Sequence, residues 1–209
     1  MAQVIMTFGD SNTHGTPPVR KRGVYARYEP DVRWPTRMQA DVGCTLIEEG
    51  LPGRLASALT DPVMGAHMNG HEGLKIALQS HGPIDRLVLM LGTNDLKYQF
   101  GLTPAAIAGS VAGLLAIAMN PEMQLRHDGF KVLLVCPPRV LEQGPLRDVF
   151  YGAAEKSGAL PALYRELAAH WQIDFLDAGA HIGPSPVDGV HFEPEAHADL
   201  ARAVAAALR

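Results

Sequence analysis

The sequence has few cysteines and few aromatic residues, and it carries no strong charge of either sign. Its 209 residues include two cysteines and 6% Phe, Trp and Tyr, and the net charge is -4. Cys44 and Cys136 are far apart, so the sequence offers no C-x-x-C redox or metal motif. We expect both to be reduced core thiols within buried strands. The mild negative charge argues against a nucleic-acid partner or an anionic membrane surface.

Targeting and membrane segments are also missing from the sequence. Neither a positively charged leader nor a long apolar segment precedes Asp10, which argues against a signal peptide. The apolar run from Ala105 to Met119 is short and rich in Ala and Gly, whereas a membrane span needs roughly 20 strongly apolar residues. A small-residue helix packed on a sheet explains this run better. We therefore predict a cytoplasmic protein without a membrane partner.

Several enzyme classes are disfavoured by motifs that the sequence lacks. It has no Gly-rich phosphate loop, no dinucleotide fingerprint and no Gly-x-Ser-x-Gly nucleophile turn. His67 and His71 stand four residues apart and precede Glu72, but Asn69-Gly70 interrupts the helix that such a metal site requires. We expect no metal and no organic cofactor.

What the sequence does contain is an alternation of short apolar runs with helical patterns, which predicts βα units around a parallel sheet. The third and fourth runs are continuously apolar, as in strands that helices cover on both faces. The predicted strands are Gln3 to Phe8, Cys44 to Glu48, Arg86 to Leu91, Lys131 to Cys136 and Asp174 to Leu176. The predicted helices are Pro35 to Asp41, His71 to Ser80, Pro104 to Met119, Leu160 to His170 and Pro194 to Leu208. No linker or repeat divides the chain, so we predict one domain over residues 1–209.

Long irregular segments follow the carboxyl ends of three predicted strands, at residues 13–33, 54–70 and 137–158. Loops of this length are more often functional than idle, and open α/β sheets place their sites at this edge. We expect these loops to wall a confined apolar pocket with Trp34, Met64, Met68, Tyr98, Phe100 and Phe150. The histidines outside the motifs are expected at the surface or in loops: His14, His81, His127, His170, His181 and His197.

The first predicted strand ends abruptly in Gly9-Asp10-Ser11-Asn12, which places the Ser11 hydroxyl just past its carboxyl end. A serine nucleophile requires a base, a group that orients the base, and donors for an oxyanion. After the fifth strand, His191 is a candidate base and Asp188 a candidate orienting group. The alternative is that Asp188 only caps a turn and His191 lies at the surface.

Two more motifs follow predicted strands, Glu49-Gly50-Leu51-Pro52-Gly53-Arg54 and Leu91-Gly92-Thr93-Asn94-Asp95. Together with Gly9-Asp10-Ser11 and Asp188-x-x-His191, in this order and spacing, they resemble the SGNH or GDSL hydrolase family of serine esterases across the whole chain. The segments 47–51, 27–34 and 90–95 resemble the branch of arylesterases and short-chain acyltransferases. One departure is Asn12, where many relatives carry Leu, but the side chain after the nucleophile is not catalytic.

The resemblance assigns an oxyanion hole to the backbone N–H groups of Ser11 and Gly53 and the side-chain amide of Asn94. Gly53 suits this role because it lacks a Cβ, although it can also be a plain turn residue. Asn94 can alternatively serve only to bond its own loop. Asp10 and Asp95 are interpreted as structural acceptors of backbone N–H groups in the turns that present Ser11 and Asn94. We also expect Glu48 or Glu49 to pair with Arg33 or Arg54.

We predict a flavodoxin-like α/β/α sandwich with a five-stranded parallel sheet and its site at the carboxyl ends of the strands. The predicted activity is hydrolysis of short-chain, acetyl-type esters through an acyl-enzyme on Ser11, with a small-molecule ester as the partner. Candidate substrate-binding residues are Asn12, Trp34 and Tyr98. The alternatives are acyl transfer to alcohols or peroxide, a carbohydrate acetylesterase, and a non-catalytic binding module. The resemblance further implies a homo-oligomer whose neighbouring subunits narrow the entrance.

Overall fold

The computed structural model describes residues 2–209, and within them five parallel strands form one sheet in the order β2-β1-β3-β4-β5. The chain builds outward from β1 to β2, then returns to the other side of β1 for β3, β4 and β5. The carboxyl ends of β1 and β3 therefore flank the point where the winding reverses, where open α/β sheets bind ligands. The strands are β1 Val4–Gly9, β2 Thr45–Gly50, β3 Arg86–Met90, β4 Lys131–Cys136 and β5 Asp174–Asp177.

Helices cover both faces of the sheet, which confirms the predicted three-layer α/β/α sandwich. In β3, Leu89 joins the core beneath α3, α4 and α6, whereas Val88 joins the core beneath α2 and α7. Since successive strand residues point to opposite faces, both faces must be apolar, and the strand reads as an unbroken apolar run. The helices are α1 Ser11–His14, α2 Trp34–Val42, α3 Gly70–Ser80, α4 Pro104–Ala118, α5 Pro121–Arg126, α6 Ala153–Trp171 and α7 Pro194–Ala207.

The structure corrects the prediction in the segment before β5. Residues 137–158 were expected to be irregular, with a helix from Leu160, but α6 begins at Ala153 and continues through Pro161. Buried Leu160 and Tyr164 anchor this helix on the sheet, and the Tyr164 hydroxyl donates to the Leu91 carbonyl at 2.9 Å. Tertiary packing thus outweighs the helix-breaking tendency of an internal proline.

The two cysteines are both free and buried, but only one lies in a strand. Cys136 ends β4, whereas Cys44 comes one residue before β2 begins, so its predicted strand position was wrong. Gly43, whose φ is 74°, ends α2 in a left-handed turn. The strand therefore begins at Thr45, one residue later than predicted.

The apolar helix α4 packs against α3 and α6 on one face of the sheet. Gly113 lets α3 approach closely, because a Cβ there would collide with the His71 ring, and His71 Nε2 lies 3.0 Å from the Ser110 carbonyl oxygen. Across residues 2–209, none of the helices combines the length and apolar character that crossing a membrane requires.

Candidate active site

Ser11 sits where β1 turns sharply into α1, at the reversal point of the sheet. Gly9 makes the turn possible, since a Cβ there would collide with the Thr13 side chain and the Met90 carbonyl. Asp10 caps α1 as predicted, with its Oδ1 accepting the Asn12 N–H at 2.9 Å. Ser11 is the first residue of α1, so its own N–H has no partner within the helix. Ser11 is 7% exposed.

His191 and Asp188 lie against Ser11, in the segment between β5 and α7. His191 Nε2 is 3.0 Å from Ser11 Oγ, and His191 Nδ1 is 2.6 Å from Asp188 Oδ2. Asp188 also caps the turn, because its Oδ1 accepts the N–H groups of Val190 and His191 at 2.9 Å each. The structure thus brings the three predicted residues together, and the alternative surface position of His191 does not agree with its burial.

The electrostatics of this cluster keep Asp188 charged. Burial raises the pKa of Asp188, but the hydrogen bond and positive charge of His191 and the N–H of Val19 lower it by more, so the pKa lies below its ordinary value. A carboxylate facing Nδ1 fixes the proton on that nitrogen, and Nε2 is then free to accept the Ser11 hydroxyl proton. Asp10 behaves differently, since burial outweighs the Asn12 N–H and raises its pKa to about 6.

Gly53 and Asn94 face the same cavity as Ser11 from neighbouring strand ends. Gly53 has a φ of 92°, and a Cβ there would lie 2.6 Å from Met64 Sδ. No backbone carbonyl in residues 2–209 accepts its N–H. Asn94 Nδ2 donates to the Arg54 carbonyl at 3.1 Å and lies 3.4 Å from Asp10 Oδ2. Asn94 therefore bonds its surrounding loops, as the alternative interpretation held, while facing the cavity.

Acidic residues around the site hold its loops in place. Asp95 accepts the N–H groups of Ala56 at 2.7 Å and Ser57 at 2.9 Å. It therefore fixes the segment after Gly53, rather than the turn at Asn94 where it was expected to act.

Two arginine–glutamate pairs form beside these loops, where the sequence predicted that Glu48 or Glu49 would pair with Arg33 or Arg54. Arg33 donates to both carboxylate oxygens of Glu48, at 3.1 and 2.9 Å. Arg54 Nη2 lies 3.6 Å from Glu49 Oε2, and its guanidinium stacks 4.0 Å above the centre of the Phe8 ring. These pairs connect β2 to the loops on either side of the cavity.

The cavity above Ser11 has a volume of about 240 Å³. Part of its lining consists of the site residues Ser11, Gly53, Asn94 and His191. The rest of the wall comes mainly from the three long loops after the strands. Most of that wall is apolar, comprising Val19, Val24, Pro52, Met64, Leu146, Val149, Phe150 and Val190. The remaining lining residues are Thr16, Arg22, Gly23, Tyr25 and Lys97.

The predicted substrate-binding residues Asn12, Trp34 and Tyr98 do not line the cavity. Trp34 is 1% exposed at the start of α2, and its Nε1 donates to the Asn12 carbonyl at 3.1 Å. The Asn12 side chain donates to the Val190 carbonyl at 3.1 Å, which ties α1 to the His191 segment. Tyr98 is 64% exposed and packs edge-on against Tyr151. For Trp34 and Tyr98, the sequence shows an aromatic residue near a wall loop but not the direction of its side chain.

The other residues that were predicted to line the cavity wall do so only in part. Met64 and Phe150 line the cavity, whereas Met68 and Phe100 do not. Lys97 was missed, although its position three residues after Asn94 was a usable signal. Its Nζ lies 3.7 Å from Asp61 Oδ2, and burial lowers its pKa despite the nearby Asp61 charge.

Two histidines expected at the surface or in loops are buried core residues. His127 accepts the Ile84 N–H at Nδ1 and lies 3.0 Å from the Leu78 carbonyl at Nε2. His197, on α7, is 0% exposed and accepts the Trp34 N–H at Nδ1. In the described part of the chain, no three His, Cys, Asp or Glu side chains are grouped as metal ligands.

A parallel α/β/α sandwich with Ser, His and Asp meeting at the reversal of its winding is the architecture of a serine hydrolase. Comparison with known proteins identifies the family. Residues 7–198 match the GDSL-like lipase/acylhydrolase family, and the chain belongs to this family, as the sequence motifs predicted. A search of curated proteins found no match.

Solved structures of similar proteins cover nearly the whole chain. Est24, a carbohydrate acetylesterase from Sinorhizobium meliloti, is 36% identical with a TM-score of 0.92, over 99% of this chain and 98% of its own. The aryl esterase of M. smegmatis is 34% identical with a TM-score of 0.93, over 100% of this chain and 99% of its own. Family and neighbours together indicate a GDSL-type esterase.

Proposed function

We propose that this protein is a serine esterase that hydrolyses short-chain, acetyl-type carboxylic esters through an acyl-enzyme. The observation that carries the proposal is the contact of Ser11 Oγ with His191 Nε2 at 3.0 Å, continued to Asp188 at 2.6 Å. Family membership supports the reaction class and disfavours a non-catalytic binding module.

In the acylation step, His191 Nε2 removes the Ser11 hydroxyl proton while Oγ attacks the ester carbonyl carbon. Asp188 stabilises the imidazolium that forms. The tetrahedral oxyanion accepts hydrogen bonds from the N–H groups of Ser11 and Gly53 and from the Asn94 amide. His191 then protonates the leaving alcohol, and the carbon–oxygen bond to that alcohol breaks. In deacylation, His191 Nε2 accepts a proton from water as the water oxygen attacks the acyl carbon. The bond between that carbon and Ser11 Oγ then breaks, His191 returns its proton to Oγ, and the carboxylic acid leaves.

The size and lining of the cavity support small acyl groups. A volume of about 240 Å³ is below the range typical of drug-sized ligands. The mainly apolar wall favours alkyl or aryl alcohols over sugars, whose hydroxyls need polar partners. Acyl transfer to an alcohol or peroxide is a second candidate, because an apolar wall offers an incoming water few hydrogen bonds and lets an alcohol compete for the acyl-enzyme.

A single ester panel tests these proposals together. 4-Nitrophenyl esters from acetyl to octanoyl, phenyl acetate and an acetylated sugar are assayed with the wild type, with Ser11→Ala and with Ser80→Ala as an exposed-serine control. We expect Ser11→Ala to lose at least about 10³-fold in kcat, Ser80→Ala to keep full activity, and wild-type rates to fall steeply with acyl length. With added ethanol, we expect some ethyl ester among the products.

Each contrary outcome removes a specific part of the proposal. Undiminished turnover by Ser11→Ala excludes the nucleophile, and a flat chain-length profile excludes a confined acyl site. Acetate as the sole acyl product excludes transfer to alcohols. A higher kcat/KM for the acetylated sugar than for phenyl acetate replaces the proposed alcohol class.

A further inference from the structure

The carboxylate of Asp188 is held by four N–H groups, and one of them comes from a distant loop. Oδ1 accepts from the backbones of Val190 and His191, while Oδ2 accepts from His191 Nδ1. The fourth donor is the backbone N–H of Val19, which is 2.6 Å from Oδ2. Three of the four donors thus belong to the segment that carries Asp188, and only Val19 lies elsewhere in the chain.

Val19 belongs to the segment 16–26, here called the 16–26 loop, which forms one wall of the cavity. Two backbone N–H groups of the loop, consecutive because only prolines lie between them, donate hydrogen bonds to the site. The Thr16 N–H bonds the Ser11 carbonyl at 2.9 Å, Pro17 and Pro18 have no N–H, and the next donor is Val19. Beyond it, Arg22 Nε donates to the Pro145 carbonyl at 2.7 Å. One end of the loop therefore contacts the backbone of Ser11 and the side chain of Asp188 within four residues.

We propose that the backbone N–H of Val19 is a positioning group for catalysis, holding Asp188 Oδ2 in line with His191 and limiting the basicity of the carboxylate. The inference rests on the proposed esterase function. Oδ2 has two in-plane lone pairs, of which His191 takes one and Val19 the other. Asp188 is 0% exposed, so a protein group and not solvent is the partner of that lone pair.

Loss of this donor has a predictable effect on proton transfer. A carboxylate with fewer N–H donors is more basic and attracts the imidazolium proton more strongly. The ring then releases that proton less readily, so turnover requires a higher pH. The carboxylate is also freer to rotate away from Nδ1, which weakens the orientation of the ring.

The rigid Pro17-Pro18 pair supports a positioning role. Each proline fixes its own φ, so the chain that leads to Val19 has few alternative conformations. The N–H is thereby presented to Asp188 at a small loss of conformational entropy. A side-chain motif cannot reveal such a contact, because the donor is a peptide group that every residue except proline carries.

The test compares Val19→Pro, which removes the N–H, with Val19→Ala, which keeps it and shortens the side chain. Both are assayed on phenyl acetate across pH, with active sites counted by titration. For Val19→Pro we expect kcat to fall about 10- to 100-fold, in the range of a hydrogen bond to a charged group, and the acid limb of kcat/KM to move to higher pH. For Val19→Ala we expect a change in KM, because the side chain lines the cavity, with the acid limb in its wild-type position.

A backbone ester at position 19 covers the case in which Val19→Pro does not fold. Incorporating the α-hydroxy analogue of valine replaces the N–H by oxygen and leaves the side chain intact, and the same two changes are expected. The far-downfield proton resonance of His191 Nδ1 should shift in either variant.

Unchanged kcat per active site together with an unchanged acid limb overturns the proposal, as does an equal pH shift in Val19→Ala. Failure of the esterase function itself gives a different result, since turnover by the wild type is then absent or survives Ser11→Ala.

Discussion

At the scale of a single residue, the side-chain amide of Asn94 belongs both to the packing of the loops and to the wall of the cavity. It bonds the Arg54 carbonyl at 3.1 Å and faces the cavity that contains Ser11. Because the donor in both cases is Nδ2, a carboxylate at this position removes the loop contact and the donation into the cavity together.

Asn94→Asp removes the amide donor with little change in volume. We expect kcat to fall by about 100-fold or more, the typical loss for one oxyanion donor, with a smaller change in KM. The matched control is Asn69→Asp, because Asn69 caps α3 through its side-chain oxygen and an aspartate caps equally well. An Asn94→Asp enzyme with wild-type kcat on phenyl acetate contradicts the assigned role.

Residues defined by reaction requirements were predictable, whereas residues defined by side-chain direction were not. Ser11, Asp188 and His191 follow strand ends in motifs whose spacing is visible in the sequence, and the structure brings them into contact. Trp34 and Tyr98 were selected only for being aromatic in wall loops. Packing buries the first in the core and leaves the second in solvent, and neither outcome is encoded locally.

At the scale of elements, the ends of β2 and β3 are joined through Asp95. This buried carboxylate accepts the N–H groups of Ala56 and Ser57, a few residues beyond Gly53. Besides the bond from the Asn94 amide to the Arg54 carbonyl, the relative position of Gly53 and Asn94 therefore depends on a side chain that lies outside the cavity.

Asp95→Ala is expected to lower the free energy of unfolding by on the order of 3 kcal/mol, because it leaves two buried N–H groups without acceptors. We also expect a lower kcat, since Gly53 and Asn94 lose their common support. Urea denaturation and phenyl acetate kinetics measure the two effects. Asp41→Ala, at the exposed end of α2, should change the stability by less than about 0.5 kcal/mol, and equal effects of the two variants contradict the role of Asp95.

The elements with strong local signals were predicted to within one or two residues. Thr103 caps α4 with Pro104 at its first position, as the sequence indicated, and β4 has the predicted limits. Helix α1 was missed because four residues show no helical period. Helix α6 was predicted too short because Pro161 and Gly158 favour a break, while the contacts that override it come from distant parts of the chain.

At the scale of the whole molecule, stability depends on keeping His197 uncharged. Burial, with positive charge from Arg37 and His191, lowers the pKa of His197 from 6.5 to about 4. The ring accepts the N–H of Trp34 and lies edge-on to Phe192, so it joins α7 to α2. Between about pH 4 and 6.5 the unfolded chain takes up a proton that the folded protein excludes. Stability from this group is complete above pH 6.5 and is lost as the pH falls through that window.

The expected loss between pH 7.5 and 4 is on the order of 3 kcal/mol. His197→Asn keeps an acceptor for the Trp34 N–H, but its side chain does not titrate. The difference in free energy of unfolding between the wild type and this less stable variant should therefore shrink as the pH falls. Urea denaturation of both proteins at several pH values gives the difference directly. Asp10 has an opposite dependence, because its raised pKa favours the folded state at low pH, but this effect cancels in the comparison. Parallel stability curves contradict the role of His197.

The overall arrangement of the strands could be predicted from the sequence. Alternating strand and helix patterns predicted parallel βα units, and the resemblance implied the particular winding that the structure has. The volume and lining of the cavity did not follow, because they depend on how three long loops settle against one another.

The contact between Ser11 and His191 joins positions 180 residues apart. During synthesis on the ribosome, the chain therefore carries the proposed nucleophile long before the proposed base has been translated. Under the proposed function, truncated or stalled products that end before residue 191 are expected not to hydrolyse esters, even where their first βα units have already folded. Ester turnover is accordingly expected to report folded chains that extend through residue 191, which makes it a stricter measure of correct production than helix content or solubility.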